Sequence, residues 1–348
     1  MMKSAATFRP LISCMETLDR IPLIGLSHVE FLTPREKLTL IEMLGSPARV
    51  FGLSLRDICS LIRRPLRTRR WNPAAILDEA ARTEKLLTPG VLGCIFYWDS
   101  TYPPQLREIF DPPVTLFYRG TLPENGYLLA GIVGTRFPTG GARKAAFGLG
   151  FELGRHGIGV VSGLAKGVDR EAHEGCVRAG GYSIAVLGSG VDRIYPTSSE
   201  PAGRALLEAG GAVLSEYPPG ARPLQFHFPA RNRIISGLSR SVVVVQAPER
   251  SGALITAEHA LDQGKDLYVH AAGLSGSVGA GTSRLAESGA PVISGARDLL
   301  RDLGREFREA KGQGAPPGES TGEALARTMK DEMDGACATK AGETYWRT

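Results

Sequence analysis

No two cysteines in this 348-residue chain form a CxxC pair, and the five present (Cys14, Cys59, Cys94, Cys176 and Cys337) are odd in number and widely scattered. A disulfide framework or a structural zinc site needs paired, regular spacing, so neither is expected and a reducing cytoplasm fits best. No uncharged apolar run approaches the roughly 18 residues of a membrane span. The N-terminal segment carries Glu16 and Asp19 among short apolar pieces without a clear cleavage site, so no secretory leader is expected. The patterns GxGxxG, GxxxxGK[ST] and GxSxG are all missing. Their absence weakens a nicotinamide-dependent enzyme, a P-loop hydrolase and a serine hydrolase in turn, and no cofactor is expected. Asp169 and His173 stand one helical turn apart with no third ligand close in sequence, which reads as a capping carboxylate and an interior histidine rather than a metal site.

One absence is local. Between Glu216 and Glu249 there is no Asp or Glu, while Arg222, Arg231, Arg233 and Arg240 all fall inside, beside Phe226, His227 and Phe228. Uncompensated cations next to flat rings offer charge for phosphates and faces for bases, the combination single-stranded nucleic acid requires. A net charge of +5 permits such a partner without demanding it.

What is present fixes the architecture. The hydrophobic content of 43% is enough for a sizeable core. From about residue 20 to 90, PREKLTLIEMLG, SLRDICSLIRR and NPAAILDEAARTEKLL place apolar residues three and four apart, with Pro34 and Pro73 near helix starts and Gly45 after a helix end. Residues 1–95 are therefore expected to form a small all-helical domain. Its RRPLRTRRW stretch, with Arg63, Arg64, Arg67, Arg69 and Arg70 beside Trp71, is either a secondary phosphate contact or a solvated linker.

After a proline-rich connection, short apolar strands alternate with amphipathic helices. Strands are expected at 128–133, 159–162, 183–187, 212–215, 241–246 and 266–270, with a last one at 291–293, and crossover helices at 142–156, 167–179 and 253–263. That rhythm predicts an α/β fold with a Rossmann-like doubly wound, mainly parallel sheet over residues 96–310. Residues 311–348 are poor in large apolar groups and are expected to be largely disordered.

In such a sheet, ligands gather outside the carboxyl ends of the strands. The loop after the first strand carries Arg136 in a glycine-rich turn. The loop after the second carries Ser162, Gly163 and Lys166, with Asp169 as the expected cap of the next helix. Ser251, Gly252 and Thr256 lie near a helix start, where hydroxyl and backbone donors suit an anion. Asp192 and Glu216 would serve as an acid and base pair only if they converge.

Taken together, IVGTR, SGLAKGVD, LGSGVDRIYP, SEYPPG, FPARNRIISGLS, SGALITAEHAL and GTSRL, in this order, resemble the DprA/Smf family of DNA-processing proteins. The resemblance covers about residues 100–295, and the preceding helices look like the SAM-like or helix-hairpin-helix extension of that family. It implies an extended Rossmann fold and a homodimeric protein, beside the nonenzymatic, cytoplasmic and membrane-free character expected from the missing motifs, the cysteines and the lack of an apolar span. Such a protein binds single-stranded DNA, protects it, and loads the RecA recombinase during natural transformation. Carried over by motif, the DNA pocket would use Arg136, Ser162, Gly163, Lys166, Phe228, Arg231, Asn232 and Arg233, to which Ser251 and Gly252 are added on physical grounds. The chain departs from the family pattern at Gln246, at Ser283 and in VHAAG, and no winged-helix-like domain is recognisable after residue 300. The alternative is a nucleoside-monophosphate-binding enzyme of the lysine-decarboxylase-like phosphoribohydrolase type, whose PGGxGTxxE motif survives only in part in GAGTSRLAE.

Overall fold

A computed structural model describes residues 19–68, 70–304, 337–340 and 343–346. The described residues up to 304 belong to one compact unit and those from 337 onward to a second. In the first unit the chain opens with α1 (Arg20–Ser27), α2 (Pro34–Leu44), α3 (Pro47–Val50), α4 (Leu55–Ile62) and α5 (Pro73–Leu86). Local chemistry sets these boundaries. Thr33 and Glu36 form a reciprocal capping box at the start of α2, Ser54 and Asp57 another at α4, and Asn72 caps α5 just before Pro73.

The sheet follows, with β1 (Gly93–Phe96), the short α6 (Pro104–Arg107), β2 (Thr115–Gly120) and β3 (Leu129–Val133). Next come α7 (Gly140–Arg155), β4 (Gly159–Ser162), α8 (Val168–Arg178), β5 (Ser183–Val186), α9 (Glu200–Glu208) and β6 (Ala212–Ser215). The second half runs α10 (His227–Leu238), β7 (Ser241–Val244), α11 (Gly252–Asp262), β8 (Asp266–His270), α12 (Ala280–Glu287), β9 (Val292–Ile293) and α13 (Ala296–Asp302).

The strands order as β1-β2-β6-β5-β4-β3-β7-β8-β9 in one sheet. Strands β3 to β9 pair parallel, whereas β1 and β2 are antiparallel additions at one edge. The chain winds outward from β3 through β4, β5 and β6, then returns to place β7 on the other side of β3. That reversal between β3 and β7 is the topological switch point of a doubly wound sheet. On one face Val133, Val186 and Val244 meet Ile234, Ile235 and Leu238 of α10 and Leu254 of α11; α7 and α8 pack against each other and onto the sheet.

The N-terminal helices do not keep a core of their own. Leu23, Leu26, Leu38 and Ile41 belong to one buried cluster with Phe96, Phe117, Leu187 and Val213 of the α/β region. The Thr115 hydroxyl also donates to the Leu23 carbonyl at 3.1 Å. The boundary expected between residues 95 and 96 falls inside β1. In the second unit the described residues form an antiparallel hairpin of β10 (Cys337–Lys340) and β11 (Glu343–Trp346). The rest of the tail expected to be disordered lies outside the described residues. Among the described residues no helix is long and apolar enough to cross a membrane.

Candidate nucleic-acid interface

A cavity of about 600 Å³ opens outside the carboxyl ends of β3, β4, β5 and β7, at the switch point. Its size lies within the roughly 300–1,000 Å³ usual for ligand sites. The turn after β3 contributes Thr135, Arg136 and Phe137, and the loop after β4 contributes Ala165 and Asp169. Tyr195 comes from the segment after β5, Phe228, Arg231 and Asn232 from the start of α10, and Arg250, Ser251 and Gly252 from the turn into α11.

Three arginines, Arg136, Arg231 and Arg250, thus line the cavity against one carboxylate residue, Asp169. Arg136 and Arg250 are exposed and make no side-chain hydrogen bond or ion pair among the described residues. Arg231 is buried, and its guanidinium donates to the backbone carbonyls of Gly163 (2.9 Å) and Val186 and to the Asn232 side-chain oxygen (3.0 Å). Burial pushes its pKa down to about 10; Asp169 opposes that shift and the positive charge of Arg136 adds to it. Two cations therefore feel each other across a largely uncompensated cavity, which favours an anionic guest.

Gly163 makes room for this packing, because a Cβ there would overlap the Arg231 guanidinium and force it to shift. The Gly163 N–H donates to Asp169 at 3.2 Å, so Asp169 is not the cap of α8 that its position predicts. Gly167 holds the cap position, and Asp169 lies in the first turn with its side chain turned toward β4. Burial raises the Asp169 pKa, against the pull of Arg231 and of the Ala165 and Gly163 amides.

Rings and helix ends complete the site. Phe228 is half-buried with its centroid 5.8 Å from that of Tyr195, while Tyr195 is 47% and Phe137 81% exposed. Aromatic surface left open beside unpaired cations is available for stacking. Helices α10 and α11 both point their N-termini at the cavity, where the helix dipole favours negative charge. Ser251 caps α11, accepting from the Ala253 N–H at 3.2 Å, and Asn232 ties the two helices by donating to the Gly252 carbonyl at 3.0 Å.

The cavity thus gathers Arg136, Phe228, Arg231, Asn232, Ser251 and Gly252, with Gly163 directly behind Arg231. Lys166 is exposed one residue beyond Ala165 and does not line the cavity. Ser162 is wholly buried, its hydroxyl donating to Ile132 at 2.6 Å to tie β4 to β3. Arg233 lies elsewhere, held in a two-point ion pair with Glu216 at 2.8 and 2.7 Å and against Asp111 at 3.5 Å. Burial opposes its charge, but Glu216 and Asp111 outweigh that and the Arg233 pKa is raised. The acid-free segment is therefore compensated in part from outside its own span. Asp192 accepts from the Gly220 N–H at 2.8 Å, and neither it nor Glu216 lines the cavity. The residues missed from sequence are Arg250, Phe137 and Tyr195. All three stand in strand-end loops, one residue from or within a motif already singled out.

A second cavity of about 460 Å³ beside β1 and β2 has Glu124 and no Lys or Arg in its lining, so it offers nothing to a polyanion. Among the described residues no group of His, Cys, Asp and Glu is arranged to hold a metal ion.

The profile of the family described as DNA recombination-mediator protein A matches residues 93–304. Protein Smf of Synechocystis is 42% identical over 241 residues, covering 67% of this chain and 58% of that protein, so the chain spans less than two thirds of its length. The crystal structure of DNA processing protein A from Streptococcus pneumoniae superposes with a TM-score of 0.67 at 33% identity, covering 84% of this chain and all of that one. DNA processing protein A from Helicobacter pylori, which has a unique single-stranded DNA binding mode, gives a TM-score of 0.55 at 29% identity over 62% of this chain and 97% of that one.

Proposed function

Because the chain belongs to the DNA recombination-mediator protein A family, we propose that its switch-point cavity binds single-stranded DNA without chemical turnover. The observation that carries this reading is the convergence of Arg136, Arg231 and Arg250 on one cavity with Phe228, Tyr195 and Phe137 around it. Phosphates would meet Arg136 and Arg250 first, since neither is engaged elsewhere. Bases would stack on the open rings, each such contact being worth roughly 1–3 kcal/mol. Arg231, Asn232, Gly163 and Ser251 shape and charge the floor, and Lys166, exposed and next in sequence to Ala165, would extend the path of the strand.

The family supports a wider reading, which we propose with it: a cytoplasmic homodimer that protects incoming DNA and loads the RecA recombinase during natural transformation. A phosphoribohydrolase reading needs a carboxylate free for acid or base work. The cavity's one carboxylate, Asp169, is engaged by the Gly163 amide and faces Arg231. Fluorescence anisotropy with labelled oligo-dT tests the proposal. Replacing both Arg136 and Arg250 by Ala is expected to weaken binding at least tenfold, about 1.4 kcal/mol, with the fold intact. Unchanged affinity, or release of free base from a nucleoside monophosphate by the wild-type protein, would overturn it.

A further inference from the structure

The RRPLRTRRW stretch lies outside the cavity and has no part in the reading above. Between Asp57 and Asp78 the sequence has no acidic residue and five arginines. The structure pins this loop from both sides. Arg64 donates to Glu36 at 2.5 and 2.7 Å and to the Phe31 carbonyl at 2.9 Å. Trp71 stacks on Phe51 at 5.9 Å, meets Phe31 edge-on at 5.6 Å, and donates its indole N–H to Leu53 at 2.8 Å. Arg67 and Arg70 between these anchors, and Arg63 just before the first, are exposed, and their side chains have no hydrogen bond or ion pair among the described residues.

Arg63 adds a second, independent sign. It ends α4 in the left-handed region at φ 56°, where glycine is the usual occupant and a long side chain is disfavoured. With arginine rather than glycine at this helix stop, the end of α4 presents a long cationic side chain to solvent.

We propose that Arg63, Arg67 and Arg70 form a second nucleic-acid contact, which grips the phosphates of a duplex. The ligand class follows from what the loop offers. Its one ring, Trp71, is committed to Phe31 and Phe51, so bases have nothing to stack on and only the backbone is read. A double helix, with one charge about every 1.7 Å of its axis, is the better match for unpaired cations three and four residues apart in one loop. The contact is independent of sequence and distinct from the single-strand cavity.

The test compares the full-length wild type with the triple variant Arg63→Gln, Arg67→Gln, Arg70→Gln, using a labelled 20-base-pair duplex and a short oligo-dT. The triple variant is expected to melt like the wild type. Its duplex salt dependence should flatten by about 2.7, at about 0.9 for each of three phosphates, with oligo-dT binding unchanged. Arg136→Ala is expected to do the reverse, so loss of this contact and loss of the cavity reading are separable. Arg63→Gly relieves the backbone and removes a charge, and is expected to raise Tm while weakening duplex binding; higher Tm with duplex binding unchanged would assign Arg63 to the fold alone. The proposal is overturned if the triple variant keeps wild-type duplex binding, or loses both probes equally. It is also overturned if the loop's charge serves phosphatidylserine vesicles while the duplex is not bound.

Discussion

Arg231 and Arg233 are two residues apart in α10, and a helix advances about 100° per residue, which turns them to nearly opposite sides. Arg231 faces the cavity and Arg233 the Glu216–Asp111 side. Reading FPARNR as a single block of charge hides this division, although the helical period alone is enough to expose it. What the period cannot supply is the partner, since Glu216 reaches Arg233 from the loop after β6 and Asp111 from the segment before β2. The two arginines should therefore fail differently. Arg233→Met leaves the half-buried Glu216 and Asp111 with Lys37 as the nearby cation and is expected to destabilise the protein by up to about 3 kcal/mol, measured by chemical denaturation. Arg136→Ala removes an exposed, unpaired group and is expected to change stability by under about 0.5 kcal/mol while weakening DNA binding. Gly163→Ala should act through Arg231: the new methyl displaces the guanidinium from its two carbonyls, costing roughly 1–3 kcal/mol of stability and distorting the cavity floor. Equal denaturation midpoints for Gly163→Ala and wild type would contradict that packing.

At the scale of elements, β4, β6 and β8 coincide with the apolar runs GVVS, AVLS and DLYVH, because strands covered on both faces are uniformly apolar and bounded by turns. The other parallel strands were legible to within a few residues. Strands β1 and β2 were not: they lie in the proline-rich connection, and their pairing with each other and with β6 is set by tertiary contacts. Helix α8 shows how much chemistry burial alone decides. Ser183 donates its hydroxyl to Val160 at 3.1 Å, so His173 meets it at 2.7 Å as the donor through Nδ1, leaving Nε2 buried without a partner. Burial, with the nearby charge of Arg231, pushes the His173 pKa down to about 3. The folded-state value lies below the unfolded one near 6.5, so the unfolded chain binds the extra proton between them. Stability from this group is full above about pH 6.5 and falls as pH drops toward 3, by at most about 1.4 kcal/mol per pH unit. Denaturant melts across that window are expected to show the loss, and His173→Gln to flatten it from a lower starting stability. An unchanged slope in that variant would assign the acid sensitivity elsewhere.

At the scale of the whole molecule, the switch between β3 and β7 determines where loops from distant parts of the chain meet, and the sequence carries that much through its order of strands. It does not show which cations remain free there. Arg136 and Arg250 do, Arg231 is half spent on the backbone, and Arg233 is spent on acids. The central claim is that a flexible polyanion is gripped by those free charges. A salt titration of oligo-dT binding by the wild type, Arg136→Ala and Arg250→Ala tests it most directly. Each variant is expected to flatten the logarithmic salt slope by about 0.7, the value for one neutralised single-strand phosphate. Wild-type slope and affinity in both variants would contradict the account.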